Sequence, residues 1–142
     1  MNSPLAQRLP ALATPLVNKF YDRVGARGRA NKQDLLWVVR CDNEIVAAAR
    51  VSRLEEQQFL CGVFVAASHR RQGLAGTLIR QVCAELNGPI YSFIYQHLCP
   101  LYEQLGFAVV ATLPEHLASR LRSYRCQGRD VLPYCYREPA DA

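Results

Sequence analysis

One segment, residues 59–86, constrains the fold of this chain more than any other. It opens with a nearly unbroken apolar run over residues 59–66, which is typical of a strand buried on both faces of a sheet. A short glycine-containing turn follows. From Leu74 onward, apolar residues recur at helical spacing until Asn87-Gly88-Pro89 ends the pattern. The segment therefore predicts a strand, a tight turn and a helix in direct succession.

The turn has the composition of an anion-binding site. Gly73, Ala75 and Gly76 carry little or no side chain, so a bulky anion can approach the backbone at the positive end of the helix dipole. Arg70 and Arg71 add positive charge beside it. The turn lacks both the Gly-Lys-Ser/Thr of the P-loop and the glycine spacing of the dinucleotide fingerprint. The residues alone leave two interpretations open, a phosphate-binding cradle and a tight turn whose glycine serves only conformation.

Two motifs resemble the GNAT superfamily of N-acyltransferases. Arg70-x-x-Gly73-x-Ala75, directly after an apolar strand, is similar to that superfamily's acyl-CoA pyrophosphate motif. The segment LYEQLGF at residues 101–107 is similar to its second signature, a short helix ending in Leu-Gly-Phe. The resemblance covers about residues 35–107. It implies an α/β (α+β) fold: a mixed, mostly antiparallel, twisted sheet of six to seven strands, with helices on both faces and splayed central strands.

The resemblance also implies an activity and its cosubstrate. It implies an acetyl-CoA-dependent N-acetyltransferase, in which a primary amine of a small molecule or protein attacks the thioester directly in a ternary complex. The main chain of Val63, Phe64 and Val65 would bind the pantetheine arm in the gap between the splayed strands. The diphosphate of acetyl-CoA would be bound by the turn and the first helical residues: Arg70, Arg71, Gln72, Gly73, Leu74, Ala75, Gly76 and Thr77. No metal is expected.

Two side chains are candidates for the proton transfers. Tyr102 occupies the tyrosine position of the second signature and would give a proton to the leaving thiolate; the alternative is an ordinary helix tyrosine packed under the sheet. His97 lies near the expected site, and an imidazole can relay a proton near neutral pH, although a polar loop residue or water could serve instead. His69, beside the turn, is expected to make at most a phosphate contact. The segment at residues 95–100, YQHLCP, lacks the asparagine common in the family, which keeps a non-catalytic acyl-CoA-binding or sensing domain open.

Length and composition set the remaining expectations. A chain of 142 residues, half of them apolar, fits one domain over residues 1–142, and no apolar run approaches the length of a membrane span. The first ten residues lack the pattern of a signal peptide, so a cytoplasmic location is expected. The six cysteines show neither C-x-x-C nor zinc-ligand spacing, which favours buried thiols. The acceptor amine and the oligomeric state stay open, with a homodimer as one alternative.

The net charge of +5 comes mostly from arginines, in one cluster at residues 23–32 and another at residues 120–129. A basic surface can serve a nucleic acid, so an acetyltransferase acting on aminoacyl-tRNA is an alternative. No nucleic-acid-binding module is recognisable, and we do not expect nucleic acid as a partner. We interpret most of these arginines as solvent-exposed surface residues, and we expect some of them to contact the anionic CoA.

The periodicities predict the other elements. A helix is expected over Thr14–Val24 with Thr14 as its N-cap, followed by a mobile basic loop at residues 25–32. The resemblance to the GNAT superfamily implies that this loop would form a wall of the acceptor site. A three-strand meander follows, and Gly62 inside its third strand indicates a bulge or a close backbone approach. The resemblance implies a bulge there. The later predictions are a strand parallel to the third at residues 89–95, a strand at residues 107–112, a helix at residues 114–124 and a strand at Val131–Tyr136.

Overall fold

A computed structural model describes residues 5–137 of the chain. The strands described there form one sheet in the order β1-β2-β3-β4-β5-β7-β6. They are β1 (Ala6–Leu9), β2 (Leu35–Cys41), β3 (Glu44–Leu54), β4 (Gln57–Val65), β5 (Ile90–Tyr95), β6 (Phe107–Val109) and β7 (Val131–Tyr136). The α-helices are α1 (Thr14–Val24), α2 (Leu74–Glu85), α3 (Cys99–Gln104) and α4 (Glu115–Cys126). The mixed, mostly antiparallel sheet and its helices confirm the predicted fold class.

The described residues divide into two compact units. The first lies within Met1–Ser52 and Leu60–Glu85, and the second within Arg53–Phe59 and Leu86–Ala142. The first unit therefore holds β1, β2, most of β3 and of β4, α1 and α2, while the second holds the ends of β3 and β4 nearest their connecting turn and the remaining strands and helices. The single domain over residues 1–142 stays a prediction. The first four residues of the segment examined for a signal peptide lie outside the described part of the chain.

Helix α1 has the bounds that the sequence predicts. Pro15 lies in its first turn, and Gly25 ends it in the left-handed conformation with φ of 70°. Thr14 is not the N-cap, because it is already helical and its hydroxyl donates a 2.7 Å hydrogen bond to the carbonyl of Ala11. The apolar face of α1 packs into the core of the first unit. That core consists of Leu9, Val17, Phe20, Tyr21, Ala30, Leu36, Val38, Ile45, Ala48 and Ala66.

The predicted meander of β2, β3 and β4 is present, and its turns explain its register. Asp42 and Asn43 both have positive φ, 52° and 66°, which is the conformation of a two-residue hairpin turn. Glu55 and Glu56 have φ of 47° and 71° between β3 and β4. Turns of this type match the twist of the flanking strands, so each strand pairs with the next.

Strand β1 was not predicted. It pairs antiparallel with β2, from Ala6 opposite Val39 to Leu9 opposite Leu36. Strand β6 is shorter than predicted, since it ends at Val109. Strands β6 and β7 pair antiparallel, from Phe107 opposite Tyr136 to Val109 opposite Tyr134.

Strand β5 confirms the predicted parallel pairing with β4. The pairs are Gln58 with Ile90 and Phe59 with Tyr91, all within the second unit. The side chain of Gln58 supports them by donating to the carbonyls of Asn87 and Pro89 at 2.9 and 3.1 Å. No helix within residues 5–137 has both the length and the apolar composition needed to cross a bilayer.

Candidate active site

The turn before α2 has an exposed backbone with two residues at positive φ. Arg71 and Gly73 are both exposed and both have positive φ, 67° and 75°. The first bond within the helix runs from the Thr77 N–H to the Gly73 carbonyl at 3.0 Å, so the amides of the three residues between them precede the helical ladder. These amides and the helix dipole give the turn a positive potential.

Gly73 is needed for its conformation and not for packing. A Cβ placed on it would meet no atom within 4 Å, so the space beside it is open. Arg71 is the more unusual residue, because a left-handed conformation costs a non-glycine residue about 1–2 kcal/mol. Strain of that size in an exposed turn is a feature of ligand-binding loops.

Arg80 is a further cation at this turn, and it was missed by the sequence analysis. Its guanidinium lies over Gly76, 3.4 Å from where a Cβ of that glycine would be. Long side chains of a helix point back toward its N-terminus, and residues four apart share a face. The spacing of Gly76 and Arg80 was therefore the signal that could have identified it.

Arg70 serves a different purpose from Arg71. Its Nε donates a 3.1 Å hydrogen bond to the carbonyl of Val65, and its guanidinium lies 5.6 Å from the centre of the Phe64 ring. Arg70 thereby ties the turn to the end of β4. Two groups of predicted cosubstrate-binding residues, the turn and the end of β4, are thus held together within the first unit.

The second half of β4 is more open than the apolar run predicts. Phe59 and Leu60 are buried, but residues 61–65 are only half-buried. The prediction of a strand buried on both faces was therefore wrong for residues 61–65. An apolar stretch of an inner strand is therefore partly accessible, next to the turn before α2. Burying that stretch against a ligand would be favourable.

The predicted irregularity at Gly62 is present. Its φ of 64° departs from strand geometry, and its carbonyl accepts a 2.7 Å hydrogen bond from the phenol of Tyr21. Burial raises the pKa of Tyr21 to about 12, so the phenol keeps its proton at neutral pH. The guanidinium of Arg50 packs over the Tyr21 ring, 5.4 Å from its centre.

The loop at residues 25–32, predicted to be mobile, is attached to α1. Asn18 and Ala30 exchange two buried hydrogen bonds: the side chain donates to the Ala30 carbonyl at 2.8 Å and accepts from the Ala30 N–H at 2.7 Å. This reciprocal pairing satisfies both partners away from water. The end of the loop is therefore fixed relative to the helix.

In the second unit, Tyr102 lies on α3 and is 6% exposed. Its ring packs edge-to-face against Phe107, with centres 5.3 Å apart. The next residue, Glu103, accepts a 2.7 Å hydrogen bond from the phenol of Tyr134 on β7. Hydrogen bonds with the Cys99 thiol and with Glu103 raise the pKa of Tyr134. Glu103 and Tyr134 thus attach α3, which carries Tyr102, to the sheet.

His97 is exposed and lines a cavity of about 460 Å³. The other lining residues are Tyr95, Gln96 and Asp130, so the cavity offers an imidazole, an amide and a carboxylate. The rings of His97 and Tyr95 are tilted, with centres 6.2 Å apart. Among residues 5–137, no group of His, Cys, Asp and Glu side chains is arranged to hold a metal ion.

Known proteins resemble this chain in sequence and in fold. The family model of the acetyltransferase (GNAT) domain matches residues 32–109. No curated protein matches the chain in sequence. The ribosomal-protein-S18-alanine N-acetyltransferase of Escherichia coli superposes with a TM-score of 0.69 at 15% identity, covering 99% of this chain and 97% of that one.

Two further solved structures share the fold. ElaA of Escherichia coli has a TM-score of 0.67 at 14% identity, covering 95% of this chain and 100% of that one. N-acetylglutamate synthase of Neisseria gonorrhoeae, complexed with coenzyme A and N-acetyl-glutamate, has a TM-score of 0.67 at 13% identity. That match covers 96% of this chain but only 36% of the synthase. The family model covers more than half of the present sequence, and the chain belongs to the GNAT family of acetyltransferases.

Proposed function

We propose that this protein is an acetyl-CoA-dependent N-acetyltransferase that acts on a primary amine. The observation that carries the proposal is the exposed turn of Arg71 and Gly73, both at positive φ, at the start of α2. It directly follows a half-buried apolar stretch of β4. A diphosphate joined to a long arm of methylene, methyl and amide groups is the combination that coenzyme A presents.

The turn would bind the diphosphate through main-chain amides. The N–H groups of Leu74, Ala75 and Gly76 precede the first helical hydrogen bond, and Gly73 leaves open space beside them. Arg71 and Arg80 would add charge-assisted contacts. Gln72 and Thr77 flank these groups and complete the proposed set. The hydroxyl of Thr77 already donates to the Gly73 carbonyl at 3.1 Å, so its contribution is to fix the turn.

The pantetheine arm would lie along residues Val63, Phe64 and Val65. The N–H of Ala66 donates to Val46 on β3 at 2.8 Å. Because strand residues alternate in direction, the amides of Val65 and Val63 point to the other edge of β4. The Val65 carbonyl already accepts from Arg70, so the amides are the groups that β4 would offer to the cosubstrate.

In the reaction, the amine nitrogen forms a bond to the acetyl carbonyl carbon while the carbon–sulfur bond breaks. The amine loses a proton and the thiolate gains one. We assign the second transfer to the phenol of Tyr102, which α3 holds in a fixed position through Glu103 and Tyr134. We assign the first to His97, whose cavity also contains Asp130, a carboxylate able to attract a cationic amine.

Three arginines of the basic cluster at residues 120–129 make contacts within the protein, and we therefore do not propose an RNA acceptor. On α4, Arg122 pairs with Glu115, and Arg125 donates to the Val131 carbonyl. Arg129 donates to the phenol of Tyr95. Arginines that are engaged within the protein contribute less to a phosphate-binding surface.

The test is product formation. The protein would be incubated with acetyl-CoA and four acceptors: glutamate, a peptide beginning with alanine, spermidine and an aminoglycoside. Acetylated product would be measured by mass spectrometry. We expect transfer to at least one amine that saturates with acetyl-CoA. Calorimetric binding of acetyl-CoA without transfer to any amine would favour the non-catalytic binding domain, and absence of binding would contradict both.

A further inference from the structure

Gly62 on β4 is approached by one side chain from α1, Tyr21, and by one from β3, Arg50. Tyr21, fully buried on α1, donates its phenol proton to the Gly62 carbonyl at 2.7 Å. A trans peptide is planar, and its carbonyl and N–H point in opposite directions. By fixing the carbonyl of Gly62, Tyr21 also fixes the direction of the N–H of Val63.

The proposed reaction requires the Val63 N–H to point away from β3, toward the bound thioester. Ala66 donates to Val46, and the alternation along β4 directs the Val63 N–H to the edge that faces away from β3. A main-chain donor aimed at a polarised carbonyl lowers a barrier only when it is held in place beforehand. The Tyr21 hydrogen bond supplies such a constraint from the opposite side of the same peptide.

Arg50, on β3, is the second constraint. Its Nη1 lies 2.2 Å from the position that a Cβ on Gly62 would occupy, and its Nη2 lies 3.0 Å from the corresponding position on Gly28. The guanidinium therefore fills the space that both glycines leave. It packs against β4 on one side and against the loop that follows α1 on the other.

The guanidinium is itself held by a buried carboxylate. Asp34 is 5% exposed, and its Oδ2 lies 3.6 Å from the Nε of Arg50. Asp34 also accepts hydrogen bonds from the hydroxyl of Ser52 at 2.9 Å and from the N–H of Asn31 at 3.0 Å. A carboxylate with this many donors is fixed in orientation, and it therefore restricts Arg50 as well.

We propose that Tyr21 and Arg50 are positioning residues for the cosubstrate, which hold the peptide between Gly62 and Val63 so that the Val63 N–H faces the acyl-pantetheine end of bound acetyl-CoA. The proposal deepens the proposed function and rests on it. The contacts that Tyr21 and Arg50 make are with Gly62, Gly28 and Asp34, so we expect their effect at the pantetheine end. The diphosphate end would be bound by the turn before α2.

The experiment compares acetyl-CoA, which carries both a diphosphate and a pantetheine arm, with ADP, which carries only the diphosphate. The dissociation constants of acetyl-CoA and of ADP would be measured by calorimetry for the wild type, Tyr21→Phe and Arg50→Lys. Tyr21→Phe removes one hydroxyl and keeps the ring, while Arg50→Lys keeps the charge and loses the planar fork. The matched controls are Tyr124→Phe on α4 and Arg40→Lys near the end of β2, where the side chain is exposed.

We expect Tyr21→Phe and Arg50→Lys to weaken acetyl-CoA binding by about tenfold and to leave ADP binding unchanged, as a lost buried hydrogen bond would. Unchanged ADP binding also shows that each variant is folded. The proposal is overturned if the affinity for both ligands falls equally, or if neither changes. A wild type that binds neither ligand would instead contradict the proposed function, so the two failures are distinguishable.

Discussion

The phenol of Tyr21 on α1 donates a 2.7 Å hydrogen bond to the carbonyl of Gly62 in β4, across 41 positions of sequence. This bond ties the first helix to the one residue of β4 that leaves strand geometry. It lies next to the apolar stretch that remains half-buried at residues 63–65. The helix, the irregular strand and the turn before α2 all belong to the first unit.

Replacing Gly62 by alanine should destabilise the protein strongly. The new Cβ would lie 2.2 Å from Nη1 of Arg50 and 2.7 Å from the phenol oxygen of Tyr21, in a conformation with φ of 64°. We expect the free energy of unfolding in urea to fall by about 2–4 kcal/mol, from overpacking and left-handed strain together. Gly88→Ala is the control, since it has φ of 82° but nothing within 4 Å, and it should lose only about 1 kcal/mol. Equal losses would show that Arg50 and Tyr21 do not occupy that space.

Because of Tyr21, the free energy of unfolding should decrease as the pH rises through the alkaline range. Burial raises the pKa of its phenol from 10.0 to about 12, so the folded state keeps a proton that the unfolded chain releases between those values. The associated stability is fully present below pH 10 and is lost as the pH rises through 12. We expect a loss of about 2–3 kcal/mol in the wild type over that range. Tyr21→Phe should be less stable at pH 8 and show a shallower decline, so parallel stability curves for the two proteins would contradict this account.

Tyr102→Phe should separate binding from chemistry. The ring packs against Phe107 and would be retained, while the phenolic proton would be lost. We expect acetyl-CoA to bind with unchanged affinity and kcat, measured with any amine found to be a substrate, to fall about a hundredfold, since general-acid catalysis contributes on that scale. Tyr124→Phe, on α4, is the matched control and should keep kcat. Full activity in Tyr102→Phe would contradict the acid role and indicate that Tyr102 serves only in packing.

The sequence predicted the local parts of this structure. Pro15 and Gly25 mark the ends of α1, and the turn before α2 is identified by Gly73 between an apolar run and a helical period. Such features depend on neighbouring residues alone, so they can be read without the fold. Strand β1 could not be predicted in this way, because its four residues show no hydrophobic periodicity. They form a strand only by pairing with β2.

The non-local parts of the candidate site were not predictable. Tyr21, Arg50 and Gly62 belong to three elements and meet only through helix docking and strand register. The half-buried state of residues 61–65 was hidden for a different reason: an apolar strand that lines an open surface has the same sequence pattern as one inside a core. Tyr134 carries no periodic signal that would connect it to Glu103.

The central claim is that main-chain amides at the start of α2 bind the diphosphate of acetyl-CoA. Calorimetric titration of Gly73→Glu with acetyl-CoA tests it most directly, because a carboxylate at this exposed position would repel the anion and the Cβ that carries it would meet no atom within 4 Å. Gly88→Glu is the control, with the same change at another open, positive-φ glycine. We predict that Gly73→Glu melts within a few degrees of the control and binds acetyl-CoA at least a hundredfold more weakly. A folded Gly73→Glu variant that binds acetyl-CoA as tightly as the control does would contradict the account.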